Sequence, residues 1–141
     1  MEIRILKIVI ETTVKSTIDR VWAAWTTPDD INQWNAASDD WHTPRSTNDL
    51  RVGGTFSYRM EARDGSFGFD FGGTYTHVEH GKRIDYVLGD GRTVSVTFEP
   101  ADGGIKVVEA FDAEDVNSAE MQRQGWQAIL ERFRAHVEAG K

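Results

Sequence analysis

Cysteine is missing altogether from these 141 residues, which removes disulfides, thiolate zinc sites and cysteine nucleophiles. Without staples the core alone must hold the chain, and a domain of this length buries roughly 70% of the surface its unfolded form exposes. Basic residues are outnumbered, 16 Lys and Arg against 23 Asp and Glu, for a formal net charge of −7. That balance repels nucleic-acid phosphates and anionic lipid surfaces, so no nucleic-acid partner is expected. A long apolar run is lacking as well. The stretch from Met1 to Glu11 is broken by charges every few residues, so it reads as neither a signal peptide nor a membrane span, and the expected location is the cytoplasm. Internal repeats, low-complexity tracts and Pro/Gly/Ser linkers are also absent, which leaves residues 1–141 as one domain.

Aromatic side chains are plentiful instead. Five Trp, three Tyr and seven Phe are too many large flat groups to scatter over a small acidic surface, so most must line an interior. Ile3 to Val14 is rich in β-branched residues with charges interposed and predicts a strand. Ser16 and Thr17 then offer capping oxygens to a helix whose Ile18, Val21, Trp22 and Trp25 form one apolar stripe. Thr27-Pro28-Asp29-Asp30 repeats the start signal for a second short helix carrying Ile31 and Trp34. From Asn35 to Pro44 neither period is present and a proline ends the stretch, which predicts a loop bearing Trp41 and His42.

Between Leu50 and Phe111 the period becomes two, with expected breaks at Gly53-Gly54, Asp64-Gly65, Gly72-Gly73, His80-Gly81, Asp90-Gly91 and Gly103-Gly104. Phe56, Tyr58 and Met60 alternate with polar residues, as do Val94, Val96 and Phe98, so one face of an antiparallel meander is apolar. Something must cover that face. The cover is predicted at the C-terminus, where Asn117 and Glu120 have capping-box spacing and Trp126, Ile129, Leu130, Phe133 and Val137 follow a helical stripe from about Ser118 to Glu138. At ~1.5 Å per residue this helix is roughly 30 Å long and spans a small sheet. Gly125 within it implies close approach to the sheet or space left for something else. The fold class is α+β: one strand, two short helices, six strands and a long helix.

Particular residues carry a resemblance across nearly the whole chain: Val21-Trp22, Trp25-Thr26-Thr27-Pro28, Ile31-x-x-Trp34, Leu50-Arg51-Val52-Gly53-Gly54, Gly72-Gly73-Thr74-Tyr75 and Gly125-Trp126-Gln127-x-Ile129-Leu130. Their order resembles the SRPBCC superfamily and, within it, the homologues of the activator of heat shock protein 90 ATPase. The resemblance implies a START-like, helix-grip fold, of the kind found in the birch pollen allergen, with a cavity between concave sheet and last helix suited to a lipid, polyketide or other apolar ligand. In the eukaryotic activator this fold is one of two domains, and the other makes much of the chaperone contact. Ligand binding is therefore the expectation here ahead of chaperone contact, in a monomer or weak dimer.

The candidate ligand-binding residues are the aromatic and apolar groups Phe56, Tyr58, Met60, Phe69, Phe71, Tyr75, Tyr86, Phe98, Trp126, Ile129 and Leu130, with Trp34 and Trp41 near a mouth and His42 in the adjoining loop. A filled core and a hollow one have the same composition, so the sequence leaves that choice open. In Gly65 to Gly73, Phe67, Phe69 and Phe71 share one face and Asp70 the other. Asp70 points outward on that phase, or inward as an acid or base if the glycines form a bulge. His77 and His80 fall on different faces without a third ligand, so no metal and no cofactor is expected. No nucleophile elbow or Ser-His-Asp arrangement is recognisable. Binding leads; a cyclase or dehydratase using Tyr58, Tyr75, Tyr86 and His42 as proton carriers, or Arg59 if the strand phase slips, is the second reading, and a protein-interaction module the third.

Overall fold

Alternate burial of Ile8, Ile10 and Val14 sets the inner face of the first strand, β1 (Lys7–Val14), in a computed structural model that describes residues 6–140. Ile3 and Ile5 of the predicted strand lie outside the described residues. Helix α1 (Ile18–Thr26) starts at Thr17, whose hydroxyl accepts from the Arg20 amide, and α2 (Pro28–Trp34) follows at once. Thr27 gives that second helix no side-chain cap; Pro28 starts it without needing a donor.

Six strands follow: β2 (Trp41–Asn48), β3 (Thr55–Ala62), β4 (Gly68–Glu79), β5 (Arg83–Leu88), β6 (Thr93–Ala101) and β7 (Gly104–Asp112). They form one antiparallel sheet in the order β1-β7-β6-β5-β4-β3-β2. The last element, α3 (Ala119–Gly140), crosses the concave face and buries Leu130, Phe133 and Val137. Ser118, not Asn117, caps it, accepting from the Met121 amide at 3.1 Å. The protein has the curled seven-stranded half-barrel, two short helices and long terminal helix expected of the helix-grip fold.

Two predicted boundaries move. The stretch read as a loop over Asn35 to Pro44 contains the start of edge strand β2, where pairing with β3 overrides a polar, proline-bearing sequence. An edge strand tolerates Pro44 because one side of its ladder is free, and a register shift between His42 and Arg45 absorbs the extra residue. Gly72-Gly73 is no break; both lie inside β4. A Cβ on Gly72 would sit 2.5 Å from the Phe56 carbonyl oxygen, and one on Gly73 2.6 Å from that of Val87 and 3.2 Å from the Phe56 ring. These glycines allow close approach and let the Phe56 ring lie where a side chain would stand. The five true turns instead hold Gly53, Gly65, Gly81, Gly91 and Gly103, all at positive φ. Beyond the glycines, a shift between Tyr75 and His77 in the β4–β5 register bends the sheet around the helix.

Candidate functional site

Where the middle of α3 passes over β3, β4, β5 and β7, the side chains do not meet completely and leave a hollow of about 180 Å³. Its roof is Trp126, Ile129 and Leu130 of α3. Trp126 lies flat on Phe111 with ring centroids 3.9 Å apart and planes at 10°, and edge-on to Phe71 at 6.0 Å. The floor comes from inward positions of the strands: Tyr58 and Met60, Phe69, Phe71 and Tyr75, Ile84 and Tyr86, and Glu109. One end is closed by Trp25, Trp34 and Asn35. Gly125, on the turn beside Trp126, has no neighbour within 4 Å of a built Cβ, so it leaves space and brings nothing close.

Ten of the fourteen residues proposed from sequence line this hollow: Trp34, Tyr58, Met60, Phe69, Phe71, Tyr75, Tyr86, Trp126, Ile129 and Leu130. Trp34 is not at a mouth. It is 3% exposed at the closed end, with its indole N–H donating to the Ala24 carbonyl at 2.9 Å. Phe56 and Phe98 point inward but lie outside the lining. Phe56 is roofed by the rings of Tyr58, Tyr75 and Tyr86, and Phe98 is locked against Trp22 and Trp25. Trp41 packs on Phe67 and Phe69 at the rim. His42 pairs with Glu61 across β2 and β3, which puts it on the outer face with Arg59 and Glu61. Asp70 is on that outer face too, 3.8 Å from Arg59. Phe67, expected inward with Phe69 and Phe71, precedes the strand and is 60% exposed.

Sequence reasoning missed Trp25, Asn35, Ile84 and Glu109 as lining residues. Trp25 sat in the helix stripe without being assigned to the hollow. Glu109 had left a signal: Ile105, Val107, Glu109 and Phe111 alternate in one strand, so an acid occupies an apolar phase. Its side chain is buried, at 6% exposure, between Ile10 of β1 and Val96 of β6 in the ladder. Burial pushes its carboxyl up to about 8, with no hydrogen bond or cation opposing the shift.

The tyrosines share this environment. Burial raises Tyr58 and Tyr86 well above the usual phenol range, and the Glu109 carboxyl adds to the shift of each. Tyr75 is raised mainly by burial while its hydroxyl donates to the Asn48 carboxamide oxygen at 2.5 Å. The hollow thus holds three phenols and one carboxylic acid, all held neutral, within aromatic walls. Among the described residues no group of three or more metal-ligating side chains is assembled, and no helix is long and apolar enough to cross a membrane.

A curled antiparallel sheet gripping one long helix, with two short helices after the first strand, defines the SRPBCC, START-like class. The chain belongs to the family described as activator of Hsp90 ATPase homolog 1-like protein, whose model matches residues 15–138. It is similar to the solution structure of an AHSA1-like protein from Aeromonas hydrophila, with 50% identity over 96% of this chain and 94% of that one and a TM-score of 0.90. A protein from Cytophaga hutchinsonii is 45% identical over 95% of this chain and 93% of its own, with a TM-score of 0.82. A Nitrosomonas europaea protein, 19% identical over 96% of both chains, shares the fold at a TM-score of 0.82. No curated protein matches the sequence.

Proposed function

We propose that this protein binds a small, largely apolar molecule, aromatic or lipid-like, between its sheet and its terminal helix. The carrying observation is the unfilled volume of about 180 Å³ under Trp126, Ile129 and Leu130. An apolar cavity of about 150 Å³ accommodates a benzene-sized molecule, so this one suits a single substituted ring or the end of a chain. Rim aromatics Trp41, Phe67 and Phe69 give such a molecule an apolar approach. We place the protein in the cytoplasm as a monomer or weak dimer, a reading supported by its acidic, cysteine-free sequence. Native mass spectrometry of protein taken from its own host, followed by a screen of hydrophobic ligands, tests the reading. A retained or captured apolar molecule that protects Trp126 from fluorescence quenching is expected; a protein that holds none across the screen refutes it.

Tyr58, Tyr75, Tyr86 and Glu109 around one hollow favour a second reading, proton transfer to and from the bound molecule as in a cyclase or dehydratase. It predicts that the protein accelerates deuterium exchange at the α-carbon of a small aryl ketone in heavy water, and that Glu109→Gln removes the acceleration. Exchange at the uncatalysed rate rules it out.

A further inference from the structure

The chemistry of the hollow is lopsided. Eight aromatic side chains from α1, α2, α3 and the sheet face it, among them Trp25, Trp34, Tyr58 and Trp126. Among the described residues that line it there is no Lys, Arg or His, and its one acidic group is Glu109. No described group donates a hydrogen bond to that carboxyl. Among the described residues no fully occluded side-chain oxygen or nitrogen lacks a partner, so the unpartnered Glu109 oxygens open onto the hollow and are not sealed within the sheet. A carboxyl buried without a partner is costly unless something else supplies one.

Resting on the binding reading above, we propose that Glu109 is the polar anchor of the hollow and that the molecule it selects is a small aromatic amine-bearing cation, its ammonium on Glu109 and its ring among the cavity aromatics. Three observations converge on this class. A fatty acid or other anionic ligand meets no countercharge in the lining and faces an acid. A plain hydrocarbon leaves the carboxyl as unpartnered as before. An ammonium supplies charge-assisted donors to the carboxylate, and ring faces of the surrounding aromatics attract the same cation. The protein's net charge of −7 favours the approach of a cation from solution. Binding converts the neutral acid to carboxylate and releases its proton to solvent.

The other titratable groups facing Glu109 are Tyr58 on β3 and Tyr86 on β5, with Tyr75 of β4 beyond them, and burial keeps all three protonated. The contributions of α1, α2 and α3 to the lining carry no charge, and the ladder neighbours on β1 and β6 are Ile10 and Val96. Carboxyl titration therefore belongs to Glu109 alone in this space.

The test compares benzylamine, ethylbenzene and benzoate by calorimetry at about pH 8.5, where the amine is an ammonium and Glu109 is largely ionised. Wild-type protein is expected to bind benzylamine at least about tenfold more tightly than ethylbenzene and to leave benzoate unbound. Glu109→Gln is expected to abolish the difference and keep the ethylbenzene affinity. On lowering the pH to about 6, the wild-type preference for the amine should shrink while ethylbenzene binding stays constant. This last comparison needs no variant and stands even if the substituted protein fails to fold. Ethylbenzene binding without an amine preference, or a preference that survives both Glu109→Gln and the lower pH, overturns the anchor and spares the cavity reading. Failure of all three probes to bind overturns the anchor, and overturns the cavity reading as well only when the wider hydrophobic screen is also empty.

Discussion

The two halves of α3 meet the same sheet in opposite ways. Toward its C-terminus Phe133 is wedged edge-on between Trp25 and Trp34, with ring centroids 4.9 and 5.0 Å away, and those two indoles are 5.1 Å from each other. Polar ties reinforce the packing: His136 reaches Asp30 at 2.9 Å, and Glu138 accepts from the Lys15 amide. Toward its N-terminus the helix hangs on edge strand β1, through Arg123 to the Val9 carbonyl and Gln127 to the Glu11 carbonyl, and touches the floor through Trp126 on Phe111. The first half has α1 and α2 as an intervening layer; the second has none, and the hollow is what remains. Aromatic abundance is common to both, so abundance does not decide whether a core is solid. The number of layers between helix and sheet does.

The largest expected effect concerns the carboxyl in the thin half. Burial holds the Glu109 carboxyl up at about 8, against 4.5 for a free glutamate. Above pH 4.5 the unfolded chain releases a proton that the folded one keeps, so this group's contribution is best below 4.5 and is lost as pH rises toward 8. Glu109→Gln should therefore match wild-type stability near pH 4.5 and exceed it progressively at higher pH, by at most about 5 kcal/mol near pH 8.5 at ~1.4 kcal/mol per unit. Urea unfolding at both pH values measures it, and a pH-independent difference contradicts the burial of this acid. Next in size, Phe133→Ala in the solid half should cost on the order of 4 kcal/mol. Ile129→Ala, beside space already empty, should cost clearly less under the same denaturation; equal losses would erase the contrast between the halves.

Gln122 holds the approach to the thin half. Its oxygen accepts from the Glu114 amide, and its nitrogen donates to the Glu114 and Asn117 carbonyls. Gln122→Ala should destabilise by about 1–2 kcal/mol and quicken hydrogen exchange in the first turns of α3 more than in its last. The smallest effect separates space from contact: with nothing near a Cβ at Gly125, Gly125→Ala should raise stability by about 0.5–1 kcal/mol. A lower melting temperature would mean that something already fills that turn.

Legibility followed the range of the interactions involved. Helix stripes such as Trp126 to Val137 and strand alternations such as Phe56, Tyr58 and Met60 repeat within a few residues, so elements and inward faces could be read directly. The β2 strand escaped because its extended form comes from pairing with β3, and the Gly72-Gly73 pair misled because a close approach and a turn ask for the same residue. His42 was misplaced for the same reason, its direction being set by its register with Glu61. Glu109 could have been suspected from its phase between Val107 and Phe111, but its isolation depends on Ile10 and Val96, roughly a hundred and a dozen residues away in the chain.

Periodicity and turn chemistry, written locally in the chain, were enough to specify an antiparallel sheet with one amphipathic helix laid against it. Whether helix and sheet would touch everywhere was decided by tertiary packing, because the separation at any point depends on which distant side chains are interposed. At Phe133 the indoles of α1 and α2 fill the gap; over Glu109 nothing does.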